Sequence, residues 1–143
     1  MALYILGVTA LLGACLGSFL HCAAWRHTHG EQVWRGRSHC PACGHTLGAA
    51  ELVPVLSWLA LGGKCRWCKA PISAKYPAAE GVCALVAVSV VVRWDVSWQA
   101  AEYLVLGCIL FFLSLVDLET MELPGAPMAA AAVSWLLFLP AHP

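Results

Sequence analysis

Apolar residues along this chain gather into long blocks instead of alternating with polar ones. Their lengths can be measured against the ~20 residues a helix needs to cross the hydrocarbon of a bilayer. Ala2 to Ala24 carries no charge. A second block, from about Tyr76 to Val92, contains Glu80; a third, from about Trp98 to Val116, has Glu102 near one end and Asp117 just past the other. A fourth runs from about Pro124 to Pro140 and is interrupted near its start by Pro127. The pattern predicts an all-α integral membrane protein with about four transmembrane helices. Residues 1–25 form the first helix, 26–75 a polar insertion and 76–143 the remaining helices.

Composition supports the same class. A chain that is 61% hydrophobic and 11% charged, with mean hydropathy +0.76, has too little polar surface to coat a water-soluble globule. Its formal neutrality offers nothing to a nucleic-acid partner, so the lipid bilayer is the partner composition implies. Of the eight Lys and Arg residues, all but Arg93 lie between the first and second blocks: Arg26, Arg35, Arg37, Lys64, Arg66, Lys69 and Lys75. The positive-inside rule puts that insertion in the cytosol, the N-terminus and the Arg93–Ser97 connection outside, and Asp117 back on the cytosolic side. No basic residue precedes the first block, which therefore reads as a retained helix and not a cleaved signal.

The basic insertion carries Cys40-Pro-Ala-Cys43 and Cys65-Arg-Trp-Cys68. In a reducing cytosol these four thiols are metal ligands before they are disulfides. Two Cys-x-x-Cys turns supply a tetrahedral thiolate set that satisfies Zn²⁺ and leaves no open position, so the expected site is structural. Gly44 permits the positive φ such a turn needs. His39 and His45 flank the first pair as alternative ligands or as ordinary loop histidines. Cys15, Cys22, Cys83 and Cys108 fall in apolar blocks at no ligand spacing and read as small buried hydrophobes. Between the pairs, Glu51 to Leu61 is apolar, contains Pro54 and is too short to span. It either lies along the membrane interface with Trp58 at headgroup depth or folds back onto the metal site.

Several segments also carry a family resemblance. Gly17-Ser18-Phe19-Leu20, the two cysteine pairs, Glu51-Leu-Val-Pro54, Ser57-Trp58, Gly63-Lys64-Cys65-Arg66, Ile72-Ser73, Tyr76-Pro77 and Glu80 resemble, in order and spacing, the amino end of type IV prepilin peptidases. Asp117-Leu-Glu-Thr-Met-Glu-Leu-Pro124 resembles that family's aspartate segment. The resemblance implies an aspartic endopeptidase of the bacterial inner membrane that removes the leader from type IV pilin-like or type II secretion pseudopilin precursors at the cytosolic face. In many members the new N-terminus is then methylated from S-adenosylmethionine. Asp117 is the expected catalytic carboxylate, and Glu51 and Glu80 are candidate contacts for a basic leader.

An aspartic protease needs two carboxylates sharing one proton, one to deprotonate water and one to polarise the scissile carbonyl. The family's second aspartate belongs to a Gly-x-Gly-Asp segment, which this sequence lacks, and its other aspartate, Asp95, is about 33 Å from Asp117 along one helix. The sequence therefore reads as the amino-terminal part of a truncated or split enzyme, as one completed by a second chain, or as a noncatalytic relative that binds prepilins. A zinc-ribbon membrane adaptor is the reading of a different class, and it has no need of Asp117. Local departures from the family are His21 where Asn is usual, His27-Thr-His29 where Leu-Pro is common, and Gly125 where Asp or Asn follows the proline. His21 is expected to pack against a neighbouring helix or to line a substrate path. Glu80 is expected to pair with Lys75 or Arg66, or to meet a substrate amine.

Overall fold

The structure, a computed structural model, describes residues 2–33 and 36–138. Arg35 and the end of the fourth apolar block at Pro140 lie outside the described residues.

Three helices are long and apolar enough to cross a membrane. Helix α1 spans Ala2–Thr28, α3 Lys75–Trp94 and α4 Trp98–Thr120, with a short α2 at Leu56–Ala60 between the first two. At 1.5 Å per residue the three long helices measure about 40, 30 and 35 Å, against a hydrocarbon core of ~30 Å. Helix α5, Gly125–Phe138, is 14 residues or about 21 Å long and is the shorter apolar helix of the set. The fold is thus all-α and membrane-type, with a polar insertion between α1 and α3. Leu3, Leu85, Val92 and Leu137 are among many large apolar side chains that face outward, the arrangement lipid requires.

The helix ends follow from local chemistry. Helix α1 closes on Gly30, which takes φ +71 as the Glu31 amide turns back to the Arg26 carbonyl at 2.9 Å. Pro77 sits in the first turn of α3, where its missing N–H costs nothing. Ser97 caps α4 by accepting the Ala100 amide at 3.2 Å, and the short Asp95–Ser97 link makes α3 and α4 antiparallel neighbours. Met121 ends α4 in the left-handed region, its amide bonded to the Asp117 carbonyl at 2.8 Å.

Packing centres on α1 against α3, where Gly13 and Gly17 stand one turn apart. A Cβ on Gly17 would lie 2.8 Å from the Ala79 carbonyl oxygen, and one on Gly13 would lie 2.8 Å from the Ala87 methyl. Small residues let two backbones approach closely where apolar burial offers helices in lipid no preference for each other. Helix α4 packs on both α1 and α3, and α5 packs on α4.

Candidate functional site

The insertion is built from two copies of one turn. Around the first cysteine pair, the Cys40 amide donates to the His45 carbonyl at 2.9 Å and the Gly44 amide to the Cys40 carbonyl at 2.8 Å. Around the second, the Cys65 amide donates to the Ala70 carbonyl at 2.8 Å and the Lys69 amide to the Cys65 carbonyl at 3.1 Å. Isolated bridges His39–Thr46 and Lys64–Pro71 close each copy. Gly44 has φ +70 as expected, and Lys69, at the equivalent place, has φ +61 despite its side chain. Aligning the two motifs on their cysteines would have found Lys69, since it follows Cys68 as Gly44 follows Cys43.

The two turns bring the sulfurs of Cys40, Cys43, Cys65 and Cys68 within 4.8 Å of one another. Sγ of Cys40 and Sγ of Cys68 are 3.8 Å apart. This is about the edge of a tetrahedron with ~2.3 Å metal–sulfur bonds, so the donor set fits Zn²⁺ in number, chemistry and spacing. Cys40 and Cys65 are buried, and Cys43 and Cys68 face solvent. Amides of Cys68 and Trp67 directed at the Cys65 sulfur hold its thiol down at about 7. The Ala70 amide lowers Cys68, but desolvation and the neighbouring sulfurs outweigh it and leave that thiol at about 11. One ligand is thus about half ionised at neutral pH. His39 and His45 stand apart from the sulfur cluster: His39 lies edge-on to Trp25 and His45 packs on Trp67 at 4.3 Å.

The segment between the pairs divides its faces. Leu56 and Leu59 are 64% and 60% exposed. Trp58 instead turns inward, donating its indole N–H to the Ile72 carbonyl at 3.0 Å and lying so close to Gly63 that a Cβ there would meet the ring at 2.8 Å. The segment therefore folds back through Trp58 while keeping an outward apolar edge. At its start, Val55 has φ +60, a costly conformation for a β-branched residue. Its amide donates to Glu80 Oε2 at 2.6 Å, so the buried carboxylate of α3 takes this partner and forms no hydrogen bond with Lys75 or Arg66.

Glu51 accepts the Gly48 amide through Oε2 at 2.8 Å, and its Oε1 is shielded from solvent with no hydrogen-bond partner. Glu51 and Glu80 both line a cavity of about 390 Å³ walled by Trp25, Trp58 and Tyr76. Arg26, only 7% exposed, reaches the Val33 and Arg37 carbonyls at 3.3 and 3.2 Å and ties the loop after α1 to the helix end. His21 is buried with its ring edge-on to Tyr76 at 4.3 Å, across the α1–α3 contact.

Asp117 is half-buried in the final turns of α4. Thr28 Oγ1 donates to Glu119 Oε2 at 2.6 Å, joining the end of α1 to the end of α4. Asp117 therefore belongs to the same end of the helices as the cysteine turns, and Asp95, which caps α3, belongs to the other. The Thr28–Glu119 bond and the Arg26 tether had no sequence signal, because each depends on how distant segments meet.

These features define a class: an all-α membrane protein with a four-thiol metal-type knuckle at one end of its helices. Residues 11–94 match the bacterial peptidase A24 N-terminal domain, and the chain belongs to that family. It is 40% identical over 114 residues to the prepilin leader peptidase/N-methyltransferase of Myxococcus xanthus, covering 80% of this chain and 34% of the relative. The protein of that name from Aeromonas hydrophila is 46% identical over 88 residues, covering 62% and 30%. That from Pseudomonas aeruginosa is 32% identical over 157 residues, covering 94% and 53%. The chain thus spans about a third of the Myxococcus and Aeromonas relatives and about half of the Pseudomonas one. No solved structure matches it.

Proposed function

We propose that the chain supplies the amino-terminal part of a membrane aspartic endopeptidase that removes the leader from prepilin or pseudopilin precursors at the cytosolic face of the bacterial inner membrane. The observation that carries this is the position of Asp117 at the knuckle end of the helices, in a chain whose matched relatives are named prepilin leader peptidases. Asp117 is one of the two carboxylates that share a proton, alternating between activating water and polarising the scissile carbonyl. Its partner comes from outside this sequence, from a Gly-x-Gly-Asp segment or a second chain, because Asp95 stands at the far end of α4.

In this reading residues 1–25 form the first membrane helix with its N-terminus outside, 26–75 a cytosolic zinc knuckle, and 76–143 the helices that carry Asp117. Cys40, Cys43, Cys65 and Cys68 would hold Zn²⁺, whose role is to fix the insertion, since four thiolates leave no position for water or substrate. The precursor's apolar helix lies along the spans and its basic leader meets Glu51 and Glu80. The relatives' name also implies methyl transfer, and with it S-adenosylmethionine as donor.

The test is cleavage of a membrane-embedded precursor by this chain in liposomes, alone and with a fragment bearing the Gly-x-Gly-Asp helix, each with Asp117→Asn alongside. Cleavage only in the mixture, abolished by the substitution, is the expected result. Precursor binding with no cleavage in any mixture would favour a noncatalytic relative that binds prepilins, and neither binding nor cleavage a zinc-ribbon membrane adaptor.

A further inference from the structure

The segment that contains α2 is tied to α3 at two places, and the two ties set its depth. At its start the Val55 amide donates to Glu80 Oε2 at 2.6 Å. Glu80 follows Lys75, the first residue of α3, by about 7.5 Å of helix, so Val55 stands beside the opening turns of α3 and not beyond its end. At the other place Trp58 donates its indole N–H to the Ile72 carbonyl at 3.0 Å, and the Ile72 amide donates to the Gly63 carbonyl at 2.7 Å, just before α3 begins. Helix α3 is about 30 Å long and the hydrocarbon ~30 Å thick, so its opening turns fall at the boundary between acyl chains and headgroups. Helix α2 therefore lies along that boundary.

The side chains suit the place. Leu56 and Leu59 share one edge of α2, and with Leu52 and Val53 just ahead of them they face outward. On a surface meant for water, four adjacent large apolar residues are costly; at the depth where interfacial helices lie, the acyl chains cover them. Arg37, Lys64, Arg66, Lys69 and Lys75 stand against one acid, Glu51, across residues 37–75, and Lys64 and Lys75 are exposed close to the two ties. Such an excess of cations complements anionic lipid headgroups.

We propose that the outward edge of α2 is a lipid-binding surface, with Leu56 and Leu59 entering the acyl boundary beside α3 so that the insertion rests on the membrane. Trp58, whose residue type favours headgroup depth, is held inward by Ile72, and the leucines make the contact instead. The inference rests on the membrane helices alone and does not depend on the peptidase reading.

Nuclear magnetic resonance of the full chain in nanodiscs tests it without any substitution. A nitroxide near the top of the lipid acyl chain broadens amides at the boundary, and a water-soluble gadolinium chelate broadens those that face solvent. The Leu56 and Leu59 amides are expected to lose signal to the nitroxide as strongly as that of Val82, an outward-facing residue of α3, and to be spared by gadolinium. Gly44, exposed in the first cysteine turn, should show the reverse. Gadolinium broadening at Leu56 and Leu59 equal to that at Gly44 would put the edge in water and overturn the proposal. Protection from both agents would mean that protein covers it, such as a second copy of this chain, and would overturn it equally.

Discussion

Glu80 and Val55 are joined by a hydrogen bond of 2.6 Å that ties membrane helix α3 to the start of α2. An ionisable group in a membrane helix is costly unless something holds it, and here a backbone amide does. The partnership also explains how Val55 keeps φ +60: the carboxylate rewards the one backbone direction that side-chain sterics resist. Glu80 thus positions the segment that carries Trp58 and, with it, one wall of the cavity.

Glu80→Ala removes the carboxylate acceptor from a half-buried amide and is expected to destabilise the fold by about 1.5–3 kcal/mol, read as a lower unfolding midpoint in detergent. Glu80→Gln keeps an acceptor without the charge and should lose less. Hydrogen exchange gives the local readout: the Val55 amide should lose protection in the alanine variant while amides at the centre of α3 keep theirs. Equal protection of Val55 in wild type and variant would mean the bond contributes nothing.

The four-thiol geometry predicts one zinc ion per chain, lost on Cys40→Ser or Cys65→Ser. Metal analysis of purified protein checks this, and replacement with Co²⁺ should give the intense sulfur-to-metal absorption of tetrahedral thiolate coordination. Metal content unchanged in both variants would end the four-ligand assignment.

Uptake should also depend on pH in a defined direction, because metal binds thiolates and displaces protons. Cys65, held at about 7, gains its thiolate as pH rises through neutrality, so zinc uptake by stripped protein should strengthen between about pH 6 and 8. Cys68, at about 11, stays protonated across that range until metal displaces its proton, so binding should release protons throughout it. Calorimetry in buffers of different ionisation enthalpy counts those protons, and binding without release would contradict the thiol assignment.

The parts of this fold legible in the sequence are those that depend on near neighbours. Uncharged runs such as Ala2 to Ala24 become helices because lipid leaves the backbone no other partner, and Cys-x-x-Cys spacing aims two sulfurs together within a single turn. What was illegible depends on tertiary meetings. Glu80 finds the Val55 amide just before α2 instead of Lys75 or Arg66, and Trp58 turns inward because Ile72, just past the second cysteine turn, offers its carbonyl. Thr28 and Glu119 meet only because α1 and α4 end side by side.

Gly17 offers the sharpest test of how α1 and α3 are held. Gly17→Ala would set a methyl 2.8 Å from the Ala79 carbonyl oxygen and 2.9 Å from the Glu80 Cα, and neither backbone atom can move aside alone. The helices must separate along their length, with an expected loss of about 1–3 kcal/mol and a weakened Glu80–Val55 bond downstream. Gly81→Ala is the matched control on the partner helix, since a Cβ there meets nothing within 4 Å. With better helix propensity and no clash it should be neutral or stabilising by up to about 1 kcal/mol. Thermal unfolding in the same detergent compares the two. If both alanine variants melt with the wild type, the close approach at Gly17 is not what holds α1 against α3.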